Sequence, residues 1–145
     1  MIHRHPHAVK LTCSWMGEGV AGYDASVKAA RLSTAGHLTM IESHTKGGAP
    51  WHVHSREDEY FYVLEGAIVV HCGEEEYRAG PRSFVFLPRG IPHAWDVDGE
   101  SATLLMMTVP AMLEELLREF HAASTRKERD QIASGYEIQF LWDKK

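Results

Sequence analysis

The chain has 145 residues, a hydrophobic fraction of 44% and a formal net charge of -5. A chain of this length forms one domain that buries about two-thirds of its unfolded surface. The acidic balance and the lack of a basic block exclude the usual electrostatic signature of nucleic-acid binding. No apolar run reaches membrane-spanning length, and the two cysteines, Cys13 and Cys72, are too few for a disulfide scaffold. We therefore expect a cytoplasmic protein with free thiols that binds neither nucleic acid nor membrane.

Short alternating segments dominate the first part of the chain. Histidines at positions 3, 5 and 7 belong to a polar arm, which we expect not to form a specific metal site. Weak alternation predicts a first strand over residues 9–16, followed by a glycine-rich loop over 17–22. Strands are then predicted over residues 26–33 and 37–45. Residues 1–35 are accordingly read as an arm with the first strands, and 36–109 as the core of the domain.

Three residues with metal-binding side chains lie within residues 51–66, WHVHSREDEYFYVLEG. His52 and His54 are two residues apart, so in a strand they share one face. Glu59 opens a second strand, on the face of Phe61 and Val63. We expect this face to be the inner one.

A fourth candidate, His93, follows the apolar strand SFVFL and a proline-rich corner. We expect SFVFL to be packed on both sides. Three imidazoles and one carboxylate suit a divalent transition metal. The sequence therefore predicts a metal site at His52, His54, Glu59 and His93.

His44 is the other candidate for a site role. It precedes the predicted ligand strand by a short loop, and its near-neutral pKa suits a general base or an extra ligand. Its strand phase is ambiguous, because neither the face with Met40 and Glu42 nor the opposite face is cleanly apolar. His44 and Glu59 are the candidate catalytic groups, since Glu59 could act as a base if it is not a ligand.

The remaining chain supplies further strands and two helices. If Glu65 and Gly66 form a hairpin turn, His71 lies on the outer face. Trp95 is either a cavity wall or core, and alternate Leu and Met side chains of residues 101–109 predict a soft apolar lining. In residues 110–145, a helix is expected to start at Pro110, and a second follows a capping box. An edge strand then closes the chain.

These motifs resemble those of the cupin family over about residues 36–120. His52, His54, Glu59 and Gly66 fit the first cupin motif, and Pro88, Gly90 and His93 fit the second. Three positions depart from the pattern: the opening glycine is one residue late, at Gly47, Arg82 stands where a turn glycine is usual, and Val97 replaces the final asparagine. The resemblance implies an all-β cupin jelly-roll barrel, here with two short C-terminal helices.

The chain layout is also similar to that of single-domain cupin cyclases of aromatic polyketide (antibiotic) biosynthesis. This resemblance implies aldol cyclisation of a poly-β-ketone with one divalent metal as Lewis acid, and zinc is the expected ion because it is redox-inert. A quercetinase-like dioxygenase, with iron, nickel, manganese or copper, is the alternative. A non-catalytic metal-dependent binding module is the third reading. We expect an aromatic or polyketide small-molecule substrate and a homodimer.

Overall fold

The computed structural model describes residues 11–145. The N-terminal histidines, which are expected not to form a metal site, and the start of the predicted first strand lie outside this range. The helices and strands have the following bounds: β1 Glu18–Gly19, β2 Ala25–Ala29, β3 Thr39–Thr45, β4 Ala49–His54, β5 Asp58–Glu65, β6 Ile68–Cys72, β7 Glu75–Ala79, β8 Phe84–Leu87, β9 His93–Val97, β10 Ala102–Val109, α1 Leu113–Ala122, α2 Arg126–Gly135 and β11 Ile138–Phe140.

The strands form two antiparallel sheets that face each other. One sheet has the order β1-β2-β3-β10-β5-β8, and the other has the order β11-β4-β9-β6-β7. The expected all-β cupin jelly-roll with two short C-terminal helices is confirmed. Between the sheets lies an apolar core, because alternate side chains of β5, β6 and β10 point inward: Phe61, Val63, Ile68, Val70 and Leu104 are buried.

The prediction of a hairpin between β5 and β6 is wrong. β5 pairs with β8 and β10, whereas β6 pairs with β7 and β9 in the other sheet. The chain therefore crosses from one sheet to the other at Gly66, which has a φ of 75°. Gly66 also has no room for a side chain, since a Cβ would lie 2.4 Å from the Ser101 carbonyl oxygen. His71 is on the outer face, as expected. The reason is not a hairpin register but the alternation of β6, in which Ile68 and Val70 point inward.

Strand β8 is an edge strand that is buried on one side only, so the expectation of packing on both sides is wrong. Phe84 and Phe86 are 60% and 48% exposed, and Tyr60 stacks on Phe86 with the ring centroids 5.2 Å apart. Such an exposed aromatic face is uncommon unless it contacts a partner. The expected homodimer stays a prediction, and Phe84→Ser tests it by the change in sedimentation coefficient.

The first predicted strand and the predicted start of the first helix also need correction. Residues 11–16 form no strand, and β1 lies instead in the glycine-rich stretch expected to be a loop. Helix α1 begins at Leu113 rather than at Pro110. The capping box of α2 is confirmed: Thr125 Oγ1 accepts a hydrogen bond from the Glu128 backbone N–H. The closing strand is confirmed as an edge, since β11 pairs only with β4 among residues 11–145.

A buried polar network fastens α1 to the larger sheet. The Glu114 carboxylate accepts hydrogen bonds from the Arg31 backbone N–H at 2.7 Å and from the Thr39 hydroxyl. Thr39 Oγ1 in turn accepts from the Met112 N–H at 3.0 Å. Glu114 and Thr39 are both buried, so these groups have no water to replace a lost partner. Leu113 and Leu116 pack beside them in a second apolar cluster under the helices.

We expect Glu114→Ala to lower the free energy of unfolding by about 2 kcal/mol, because the buried Thr39 hydroxyl loses its acceptor inside the protein. Glu115→Ala is the matched control. Its ion pair with Arg31 is at the surface, so it should cost less than about 1 kcal/mol. Urea unfolding of both variants measures the difference, and equal losses would show that the buried network adds no stability.

Candidate metal centre

Four predicted ligands from three strands meet at one point between the sheets. His52 and His54 lie on β4, and His93 lies opposite His52 on the neighbouring β9. Glu59 reaches the same point from β5 in the facing sheet. All four side chains are buried, and one potential ligand atom from each lies within 4.8 Å of the others. The structure therefore brings together His52, His54, Glu59 and His93.

Backbone packing holds strand β4 in position for this convergence. The β4–β9 pairing is irregular between Ala49 and His52, and the preceding loop approaches β9 closely. A Cβ on Gly48 would lie 1.8 Å from the Trp95 carbonyl oxygen. Only glycine fits at this position, so Gly48 allows β4 to lie against β9.

Arg82, the departure from the second cupin motif, occupies a position that favours glycine. It has a φ of 67°, in the left-handed region. Its backbone N–H donates to the Val63 carbonyl oxygen at 2.7 Å. The turn geometry of the motif is thus retained despite the substitution.

The unpaired polar atoms of the cluster fit a metal ion. Glu59 Oε2 lies 3.2 Å from both His54 Nε2 and His93 Nε2. Neither ring nitrogen of the buried His54 makes a hydrogen bond within residues 11–145, and His93 Nδ1 is also unpaired there. Buried polar groups are normally satisfied, so unpaired nitrogens beside a carboxylate suggest that a cation completes the site. These residues can hold one metal ion.

Backbone contacts also orient the His52 ring toward the cluster. His52 Nδ1 lies 2.7 Å from the Pro50 carbonyl oxygen, so Nδ1 carries the proton and donates it. Nε2 is then left as the free electron-pair donor. A hydrogen bond from the ring nitrogen that does not bind the metal commonly sets the tautomer of a metal-binding histidine.

Electrostatics in the metal-free cluster depend on which group each imidazole faces. Burial, with a contribution from the neighbouring His93, lowers the pKa of His52 to about 4. Burial also acts to lower the pKa of His54, but contacts with Glu57 and Glu59 outweigh it and raise that pKa to about 9. Burial opposes ionisation of Glu59, yet His54 and His93 hold its pKa well below the usual range. In the metal-free protein, the proton on His54 thus serves as the positive charge of the cluster.

Glu57 is a buried carboxylate that the sequence interpretation missed. Its side chain is 2% exposed, and its Oε2 lies 3.6 Å from His54 Nδ1. A carboxylate on the far side of a ligand histidine orients the ring and increases its basicity. The separation of three residues from His54 was the available signal.

We expect Glu57→Gln to weaken divalent-metal affinity by about 10- to 100-fold, because His54 loses its orienting carboxylate. Asp58→Asn is the control: Asp58 is the next carboxylate in the chain, but it pairs with Arg89 at 3.2 Å near the surface. Competition with a chromophoric chelator measures both affinities. Equal affinities for wild type and Glu57→Gln would show that Glu57 does not support the ligand.

A mostly apolar cavity of about 470 Å³ opens from the cluster toward the C-terminal helices. His52, His54 and Glu59 line its inner end, and Trp95 forms one wall as well as packing on Phe61 in the core. Both readings of Trp95 are thus correct. The remaining lining side chains are mainly apolar and include Met106, Leu113, Leu116, Leu117, Phe120, Ile138, Phe140 and Trp142.

The structure places His44 away from this site, which corrects its assignment as a catalytic base. Ser43 and Thr45 line the cavity, so the residue between them points to the opposite face of β3. His44 is exposed, and its Nδ1 lies 3.0 Å from Thr103 Oγ1. Neither an additional ligand role nor a base role fits this position.

The metal cluster lies inside a recognised domain. Residues 39–110 match the cupin domain family, so this part of the chain is a cupin domain. A curated relative, quercetin 2,3-dioxygenase of Bacillus subtilis (strain 168), is 26% identical over 94 residues. That match covers 63% of this chain but only 28% of the relative.

Solved structures share the fold at low sequence identity. KdgF from Halomonas sp. is 18% identical, with a TM-score of 0.55, over 70% of this chain and 96% of that protein. Pac13 from Streptomyces, described as a nucleoside dehydratase, is 18% identical with a TM-score of 0.53, over 73% of this chain and 85% of that protein. Likeness at this level establishes the fold alone. Within residues 11–145, the structure contains no helix both long and apolar enough to cross a membrane.

Proposed function

We propose that the protein is a metal-dependent enzyme that acts on a flat, mostly apolar small molecule carrying oxygen atoms, and that its reaction is a quercetinase-like dioxygenation. The observation that carries this proposal is the cluster of four buried ligands, three of which line the inner end of an apolar cavity. When bound, an iron, nickel, manganese or copper ion would supply redox chemistry with dioxygen. The three nitrogen donors and one oxygen donor would hold this ion.

The residues around the cavity have separate roles in this proposal. The apolar walls exclude water and orient the flat substrate. Glu59, at the inner end, would supply the oxygen donor of the metal site. His54 and His93 hold this carboxylate from two sides at 3.2 Å.

Two observations favour dioxygenation over the cyclase reaction expected from the sequence. The exposed position of His44 removes the separate base that aldol chemistry would use. The curated relative acts, by its name, on quercetin, which is the kind of flat oxygenated molecule that the cavity suits.

Cyclisation of a poly-β-ketone is the second candidate function. It is supported by the Met106 and leucine lining, which can adapt to a folded flexible chain. Zinc at the same ligands would act as a Lewis acid on a carbonyl oxygen. The walls of the cavity would then select which carbons meet.

Oxygen uptake separates these reactions. We expect protein loaded separately with iron, nickel, manganese or copper to consume dioxygen with a flavonol, and His52→Ala to consume none. If no ion supports uptake, but the zinc protein changes the product mixture of a poly-β-ketone from that of spontaneous cyclisation, the cyclase is correct. Tight binding without turnover in either assay would indicate a non-catalytic binding module.

A further inference from the structure

A row of aromatic side chains leads from the metal cluster to the mouth of the cavity. The ring of Phe140 lies 5.8 Å from that of His52, and Trp142 stacks on Phe140 at 4.9 Å. Helix α2 fixes the outer ring, because Asp130 accepts a hydrogen bond from Trp142 Nε1 at 3.0 Å. Arg126 lies 4.1 Å from the centre of the same ring. All three aromatic rings line the cavity, so together they form an apolar wall that runs from the cluster to the mouth.

Among residues 11–145, Arg129 is the only arginine or lysine in the lining of this cavity. It is exposed, as are Tyr23 and Trp142, so these three residues mark the solvent end, whereas the metal ligands are buried. Tyr23 lines the same cavity; burial raises the pKa of its phenol, and the charge of Arg129 acts in the opposite direction. The Tyr23 phenol is therefore a neutral hydrogen-bond donor in the lining.

Arg129 differs from the arginines that serve surface ion pairs. Arg31, Arg56, Arg78 and Arg89 each pair with a carboxylate, whereas among residues 11–145 no carboxylate pairs with Arg129. An unpaired guanidinium at the edge of an apolar cavity has its donors available to an anion. The Tyr23 hydroxyl adds a further donor on the same side.

We propose that the substrate is an aromatic acid, with its ring system along the His52–Phe140–Trp142 wall, its reacting oxygen atoms at the metal cluster and an anionic group on Arg129 and Tyr23 at the mouth. This inference rests on the proposed function for the reacting end of the molecule. The anionic end adds a second anchoring point, which fixes the direction in which a flat molecule enters.

Binding of anthracene-2-carboxylate and anthracene-2-carboxamide, followed by fluorescence, tests the proposal. The two probes share one ring system and differ in charge. We expect the metal-loaded protein to bind the carboxylate about tenfold more tightly than the carboxamide. Arg129→Gln should remove this preference and leave carboxamide affinity unchanged. Arg118→Gln is the control: it makes the same charge change on an exposed arginine of α1 outside the cavity, and it should keep the preference.

A carboxylate could instead bind the metal, so the His52→Ala variant is measured as well. If the preference for the carboxylate over the carboxamide is lost in His52→Ala but kept in Arg129→Gln, the proposal is overturned. Equal wild-type affinity for both probes, or no binding of either, would also overturn it. A preference that depends on Arg129, found in a protein without flavonol-dependent oxygen uptake, would support the anionic anchor and refute the proposed dioxygenation.

Discussion

His93→Ala is expected to weaken the binding of a divalent metal ion by about a hundredfold or more. His93 is 1% exposed, and its Nε2 lies 3.2 Å from Glu59 Oε2, so alanine would replace a ligand with an apolar gap. The free energy of metal binding at four-ligand zinc sites in proteins is about 10–16 kcal/mol. The loss of one ligand should therefore weaken the affinity by roughly a hundredfold or more. Isothermal titration with zinc and with nickel measures this loss.

His71→Ala provides the matched control for that experiment. His71 lies on β6, next to β9, but its ring is on the outer face, 5.7 Å from the ring of Trp51. We expect His71→Ala to bind one metal ion with wild-type affinity. Thermal unfolding gives a second readout: the same metal concentration should raise the melting temperature of wild type and His71→Ala clearly more than that of His93→Ala. Metal-induced stabilisation of His93→Ala equal to that of wild type would contradict the ligand assignment.

Metal affinity should rise about tenfold for each pH unit between pH 6 and pH 8. In the metal-free protein the pKa of His54 is about 9, so over this range the ring holds a proton that metal binding must release. Lower pH increases the fraction of His54 that is protonated and so weakens metal binding. The pH dependence of the affinity should level off above about pH 9. His52, with a pKa of about 4, contributes only in more acidic solution.

Calorimetry in buffers with different ionisation enthalpies measures the same linkage independently. Near pH 7.5, we expect about one proton to be released for each metal ion bound. A histidine with the ordinary pKa of 6.5 would release few protons there. Affinity that is constant between pH 7 and pH 8.5 would therefore show that His54 is already neutral before the metal binds.

The parts of the site that depend on local patterns were predictable from the sequence. The spacing of His52 and His54 requires a shared face in any strand, and the apolar residues Phe61 and Val63 indicate that Glu59 points inward with them. The Thr125 cap is also local, since donor and acceptor are three residues apart. In each case the relevant partners lie within a few residues along the chain.

Long-range pairing explains what the sequence did not predict. The face of His44 was ambiguous because β3 mixes polar and apolar residues on both sides, and only its pairing with β2 and β10 decides it. The partners of β5 and β6 lie in different sheets, which a short Glu-Gly turn does not reveal. Phe140 lies 88 positions after His52 in the chain. It reaches His52 only because β11 pairs with β4.

Metal content is the most direct test of the central claim that His52, His54, Glu59 and His93 form one metal site. Untagged protein in which His3, His5 and His7 are replaced by glutamine should retain one divalent transition metal per chain after dialysis. The same protein carrying His52→Ala should retain none. Substoichiometric metal in the first protein, or equal metal in both proteins, would contradict the site. If the retained ion is iron, nickel, manganese or copper, the result favours dioxygenation, and if it is zinc, the result favours cyclisation.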